Sequence, residues 1–99
     1  MANELMAGQI TVTTAGTAVI GTDVPGYGFV VKAMAGNTGI VYVGNDGAGD
    51  ITATNSFELS AGETIYIETD NLANLYFDAA TNGDKVCWVK SLFFPRVKP

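Results

Sequence analysis

Apolar residues in this chain come in short bursts, and none of the bursts keeps a helical period. Over Gln9 to Thr14 and Thr64 to Thr69 they alternate with polar residues, and Gly, Asn, Asp and Ser separate one burst from the next. Alternation places every second side chain on the same face of a strand, so each burst has one apolar face to bury. A chain built this way folds by pairing strands into sheets and stacking the sheets on one core. Composition agrees: 12 of the 99 residues are Gly and 11 are Thr. Thr and Val are stiff at the β-carbon and suit a half-buried pleated surface.

Strands are expected at Gln9 to Thr14, Thr17 to Gly21, Phe29 to Ala35, Ile40 to Val43, Phe57 to Leu59, Thr64 to Thr69, Asn74 to Ala79 and Lys85 to Phe94. Ala15-Gly16 reads as a turn that returns the first strand on itself. Thr22 to Gly28 reads as a loop, with Pro25 lacking a ladder donor. Gly36-Asn37-Thr38-Gly39 has the chemistry of a hairpin or a short crossover. The continuous apolar run Ile40 to Val43 suits burial on both faces or an interface on one. Gly44 to Ser56 reads as a surface loop that could hold a short edge strand. Asp70 is the candidate cap for a single 3₁₀ turn over Asn71 to Ala73. Asn82-Gly83 is the strongest hairpin signal in the chain. Seven or eight short strands at this spacing predict an all-β fold, a small antiparallel β-sandwich, jelly-roll-like or immunoglobulin-like.

Several function classes are excluded by the residues that are missing. The sequence has no His and one Cys. Histidine triads, Cys-His dyads and histidine metal sites therefore cannot form, nor can an intrachain disulfide. Ten acids against five bases argue against nucleic acid, because phosphate contacts require Lys and Arg. No apolar run reaches the length of a membrane-spanning helix, and the start Met1-Ala2-Asn3-Glu4 lacks the basic and apolar regions of a secretory signal. No enzyme, no cofactor and no metal are expected.

The remaining candidates have plain structural readings. Asp46-Gly47-Ala48-Gly49-Asp50 offers too few oxygens at the wrong offsets for a calcium loop and reads as a surface turn. Glu58, Glu63, Glu68, Asp70 and Asp78 could pair as in a glycosidase, but they fall at strand ends and on polar faces. Cys87, within Val86-Cys87-Trp88-Val89, reads as a buried cysteine acting as a small apolar residue, with no base to activate it. Tyr27, Tyr42, Tyr66, Tyr76 and Trp88 could line a sugar-binding face, although core or subunit interface is the favoured role.

The C-terminal end stands apart. Residues 1–84 hold all ten acids and one base, Lys32; from Lys85 onward there are four bases and no acid. A body of charge −9 thus carries a +4 end. The sequence Leu92-Phe93-Phe94-Pro95-Arg96-Val97-Lys98-Pro99 either finishes a strand and frays or acts as a docking arm, with aromatic anchors and basic groups for an acidic partner surface. Leu5 and Met6 form a smaller apolar patch at the other end. The expected organisation is an N-terminal arm (1–8), a β-sandwich (9–91) and a basic aromatic tail (92–99). The candidate partner-binding residues are Leu5, Met6, Phe93, Phe94, Arg96 and Lys98.

At Gly36-Asn37-Thr38-Gly39-Ile40-Val41-Tyr42-Val43-Gly44 the chain resembles small β-sandwich proteins encoded among phage structural genes. The resemblance continues through Asn55-Ser56-Phe57-Glu58-Leu59-Ser60-Ala61-Gly62-Glu63-Thr64, then Asp70-Asn71-Leu72, Leu75 to Ala80 and Asn82-Gly83. It spans roughly residues 9–90 and carries turns and strand starts, not chemistry. It implies a virion component, a capsid decoration (cement) protein on the outer shell. Its partner would be the major capsid protein and its state a homo-trimer or homo-dimer. A tail or fibre module that binds a receptor or glycan is the alternative. The tail after Ser91 lies outside the resemblance.

Overall fold

The computed structural model describes residues 6–45 and 56–90. Eight strands and one 3₁₀ turn follow in order: β1 (Ala7–Thr11), β2 (Val19–Ile20), β3 (Phe29–Ala33), β4 (Val41–Gly44), β5 (Phe57–Leu59), β6 (Thr64–Ile67), the turn Leu72–Asn74, β7 (Tyr76–Ala79) and β8 (Lys85–Lys90). Two four-stranded sheets form, with orders β1-β8-β3-β6 (sheet A) and β2-β7-β4-β5 (sheet B). All pairings between these strands are antiparallel.

The pairings have a simple rule. β1 pairs with β8, β2 with β7, β3 with β6 and β4 with β5. The chain is therefore one long antiparallel ribbon, folded at the β4–β5 connection and then rolled. β8 against β3 and β7 against β4 close the roll. This is the jelly-roll topology, which decides between the two sandwich types the sequence left open. The immunoglobulin order, with its seven-strand split, does not occur.

Inward-facing positions supply the core: Ile10 and Val12, Phe29, Val31 and Ala33, Val41 and Val43, Leu59, Phe77 and Ala79, Val86 and Trp88, with Val24, Leu72 and Leu75 from loops. Trp88 meets Phe29 edge-to-face, with ring centroids 6.1 Å apart at 75°. Its indole lies over Gly8 of β1, where a β-carbon would approach Trp88 Cζ2 to 2.9 Å. The indole Nε1 is buried with no hydrogen-bond partner among the described residues.

Several local expectations are corrected. Ala15-Gly16 does not return β1 on itself; β2 leaves sheet A and pairs with β7 in sheet B. Asn82-Gly83 likewise does not close a hairpin. The turn forms, with Gly83 at φ +86° and Asp84 N–H donating to the Thr81 carbonyl, yet β7 and β8 belong to different sheets. A tight turn fixes the local reversal; which sheet the next strand joins is set by the faces it must bury. The run Ile40 to Val43 alternates after all, with Val41 and Val43 buried and Tyr42 half-buried on the outer face. Asn71, not Asp70, caps the 3₁₀ turn, its side chain accepting from Ala73 N–H. Asp70 instead accepts from the Asn74 amide. β1 starts at Ala7, two residues before the expected start at Gln9, because Ala7 and Gly8 pair with Val89 and Trp88. The expected extension of the last strand past Lys90 and the possible edge strand after Asn45 lie outside the described residues.

Candidate functional site

The roll gives the sandwich two unlike poles. At one pole lie four short connections, β1–β2, β3–β4, β5–β6 and β7–β8. Side chains staple them together. Asp84, buried, accepts from the backbone N–H groups of Thr38 (3.0 Å) and Gly39 (2.9 Å). Asn37 pairs with the backbone of Lys85 through both ends of its amide. Asn82 accepts from Ala15 N–H, and buried Asp78 accepts from Gly16 N–H. Glu63 accepts from Ser60 N–H. Three of the acids weighed as catalytic candidates are thereby located. Asp70, Asp78 and Glu63 each hold a turn or a loop, which is the role Asp, Asn and Glu take where backbone donors would otherwise go unmet.

The other pole carries the β2–β3 and β6–β7 loops. They hold each other through the Leu72 N–H to Val24 carbonyl bond, the Gly26 N–H to Asp70 carbonyl bond and the Asn71 amide to Asp23 carboxylate bond. From this pole the chain leaves toward residues 1–5, 46–55 and 91–99. Lys90 N–H donates to the Met6 carbonyl at 2.8 Å, so the two terminal segments start side by side. The β1–β8 pairing thus places Met6 beside Lys90, the described residues next to the two segments that the sequence nominated separately. Of the nominated residues, Met6 is exposed at this pole. Leu5, Phe93, Phe94, Arg96 and Lys98 lie outside the described residues, as does Asp46 to Asp50.

The exposed large apolar side chains single out the same pole. Among the described residues they are Met6, Ile20, Phe57 and Tyr66, at 41 to 55% exposure. Met6 precedes β1, Ile20 ends β2, Phe57 begins β5, and Tyr66 is one residue from the end of β6. Each therefore sits within two residues of the pole from which the termini leave, and none lies at the stapled pole. Tyr66 lies on the outer face of sheet A and Ile20 on that of sheet B, each on an edge strand, so they rim this pole from opposite sides.

The basic end is not a single patch. Lys85 opens β8 near the stapled pole, and Lys90 closes it at the other, roughly 17 Å away along the strand. Lys90 points inward, only 4% exposed, and its stem packs beside Gly26, where a β-carbon would come 3.2 Å from Cε. The long aliphatic stem of Lys suits such a position. Sequence position alone groups the two lysines with Arg96 and Lys98; strand geometry separates them.

The aromatic residues do not share a groove. Trp88 is in the core, Tyr66 is on the outer face of sheet A, Tyr27 is half-buried in the β2–β3 loop, and Tyr42 and Tyr76 are on the outer face of sheet B. Cys87, expected to be buried, is instead half-buried on the outer face of sheet A, directly opposite Lys32, because alternation along β8 turns Val86 and Trp88 inward and Cys87 outward. It lines an open depression of about 510 Å³ with Ala7, Gln9, Val30, Lys32 and Val89 among its walls. No group of three or more Cys, Asp or Glu side chains converges as a metal site among the described residues. No helix among them is long and apolar enough to cross a membrane.

No family model matches the chain, and no curated protein matches it. Among solved structures, one described in the words "Bacillus endospore appendages form a novel family of disulfide-linked pili" is similar over 91% of this chain and 88% of that one. The identity is 16% and the TM-score 0.39. A likeness at that level carries nothing about what this chain does.

Proposed function

We propose that the chain is a non-enzymatic structural protein of a phage particle, a decoration protein that binds the outside of the major capsid protein shell. The single observation that carries this reading is the pole where Met6, Ile20, Phe57 and Tyr66 are exposed around the exits of both termini. A decoration protein needs a rigid body and an adhesive end, and it needs no catalytic groups. Here the stapled pole is the rigid part and the terminal pole is the adhesive part. Phe93, Phe94, Arg96 and Lys98 extend the adhesive end in sequence and supply aromatic anchors with positive charge. The sequence resemblance to phage β-sandwich proteins supports the reading. The jelly roll is compatible with it, since capsid and lectin domains share that architecture, although a fold by itself does not fix a role. Many copies on a lattice would hold through individually weak contacts.

The test is cosedimentation with phage heads built from the cognate major capsid protein. The full chain is expected to bind at saturating stoichiometry. A chain ending at Ser91 is expected to lose most of that binding while keeping its thermal transition. Normal occupancy by the truncated chain would overturn the role of the tail. Failure of the full chain to bind heads would overturn the decoration reading itself.

A second reading, a glycan-binding module of a tail or fibre, is favoured by one observation. Tyr42 and Tyr76 share the outer face of sheet B on neighbouring strands. Binding to a glycan array that Tyr42→Ala and Tyr76→Ala abolish would favour it.

A further inference from the structure

The two outer faces of the sandwich differ in charge and in shape. On sheet A the outward positions are Ala7, Gln9 and Thr11 of β1, Lys85, Cys87 and Val89 of β8, Val30 and Lys32 of β3, and Thr64 and Tyr66 of β6. Two bases stand there and no acid. On sheet B they are Ile20, Tyr76 and Asp78, Tyr42 and Gly44, and Glu58. Two acids stand there and no base: Glu58 is exposed, whereas Asp78 is buried and holds the Gly16 N–H. Lys32 and Lys85 are two of the three lysines among the described residues, and the third, Lys90, is buried inside. Among the described residues, the strand positions of this face of sheet A carry no acid, and exposed Glu68 follows one residue past the end of β6, two residues from Tyr66.

The residues also match by row. Nearest the terminal pole, sheet A presents Ala7, Val89, Val30 and Tyr66 in one line across the strands. Sheet B presents Ile20, Tyr76 and Gly44 in its corresponding line. One row further from that pole, sheet A presents Gln9, Cys87, Lys32 and Thr64, and sheet B presents Asp78, Tyr42 and Glu58. The columns match as well. Each of the four connections at the stapled pole joins strands of equal rank: β1 to β2, β8 to β7, β3 to β4 and β6 to β5. Strands of equal rank are therefore neighbours across the sandwich at that pole.

We infer that copies of this chain associate face to face, sheet A of one on sheet B of the next, with their terminal poles on the same side. In that arrangement Ile20 and Tyr76 face the small residues Ala7 and Val89. The residue without a side chain, Gly44, faces Val30. Lys32 faces Tyr42, flanked by the exposed Glu58. The depression of about 510 Å³ on sheet A, walled by Ala7, Val30, Lys32, Cys87 and Val89, receives the tyrosines of sheet B. The contact is heterologous, because different patches meet, so copies would form a ring or a row rather than a two-fold pair. It would also display every terminal pole in one direction, with Ile20 and Tyr66 taken into the contact between copies and Met6 and Phe57 left at the open pole. The inference concerns the two faces alone and does not depend on what the pole binds.

The experiment measures the mass of the full chain in solution by sedimentation, with charge-reversal variants and a cross-link. The wild type is expected to associate beyond the monomer as concentration rises. Lys32→Glu and Glu58→Lys are each expected to weaken association by about tenfold or more, since like charges then meet across the contact. The double variant carrying both reversals is expected to recover it. A bismaleimide should link Cys87 to an introduced Tyr42→Cys on a neighbouring copy and give a ladder of species. The inference is overturned if the wild type stays monomeric at every accessible concentration. It is also overturned if both single reversals leave the mass unchanged, or if wild-type chains cross-link efficiently as Cys87–Cys87 dimers, the mark of a two-fold sheet A contact.

Discussion

Asp84 shows how much a single side chain contributes when it is placed where backbone donors converge. Its two carboxylate oxygens each take an N–H from the β3–β4 connection, Thr38 and Gly39, although Asp84 itself belongs to the β7–β8 connection. Asp84→Ala leaves two donors unmet in a buried setting and is expected to lower unfolding free energy by about 2–4 kcal/mol, measured by urea denaturation. Glycines provide a sharper contrast. A β-carbon at Gly21 would run into the carbonyl oxygen of Leu72, which belongs to the rigid backbone of the capped turn. Gly21→Ala is therefore expected to cost about 2 kcal/mol or more. Gly36 has nothing near the same position and no positive φ, so Gly36→Ala is expected to be neutral or to stabilise by up to about 1 kcal/mol. Thermal melts of the two variants side by side check both. At this scale the sequence is partly legible. Asn37, Asn82 and Asp84 sit in turn-rich stretches, which suggests side-chain-to-backbone bonding. Their partners are 45 to 67 residues away along the chain, and nothing local specifies them.

Strand positions follow from alternation, and alternation is a local property. Ile10 and Val12, Phe77 and Ala79, and Val86 and Trp88 are buried as their spacing predicts. Pairing is different. The Ala15-Gly16 and Asn82-Gly83 turns have hairpin chemistry, and both join strands in different sheets. A reversal of direction is compatible with a hairpin or with an arch between sheets; burial of the inward faces selects the arch. Element lengths also set local stability. β7 and β8 are paired on both sides, while β2 has two residues and β5 three, each at a sheet edge. Amide hydrogen exchange is expected to be slowest in β7, β8, β3 and β4 and fastest in β2 and β5, because opening an edge strand breaks one ladder and opening an inner strand breaks two. Protection in β2 equal to that in β8 would contradict this order.

At the scale of the whole molecule, the roll turns a linear asymmetry into a polar object. The sequence has a −9 body and a +4 end, and the fold redistributes that charge. Lys85 and Lys32 go to one outer face and Lys90 goes inside, while Arg96 and Lys98 lie outside the described residues. Among the described residues, the fifteen that form the core fall between Ile10 and Trp88. If residues 92–99 act as the proposed docking arm, a chain ending at Ser91 is expected to unfold within about 3 °C of the full chain by calorimetry, whatever it loses in binding. A much larger drop would mean that the tail belongs to the core and not to the docking surface. Folding is expected to be slow for the size, since the first strand pairs with the last and the second with the seventh.

Sequence by itself determined that this chain is all-β, where most strands lie, which faces are apolar, and which catalytic machineries cannot be built without histidine. Those are properties of short windows and of counts, and short windows contain them in full. Only the tertiary structure decided the jelly-roll order, the stapled pole, the meeting of the two chain ends and the opposite charge of the two outer faces. Each of these depends on which distant strands pair, and that choice is made by burying all the inward faces at once. No window of ten residues contains that information, because the free energy that selects the pairing belongs to the assembled core.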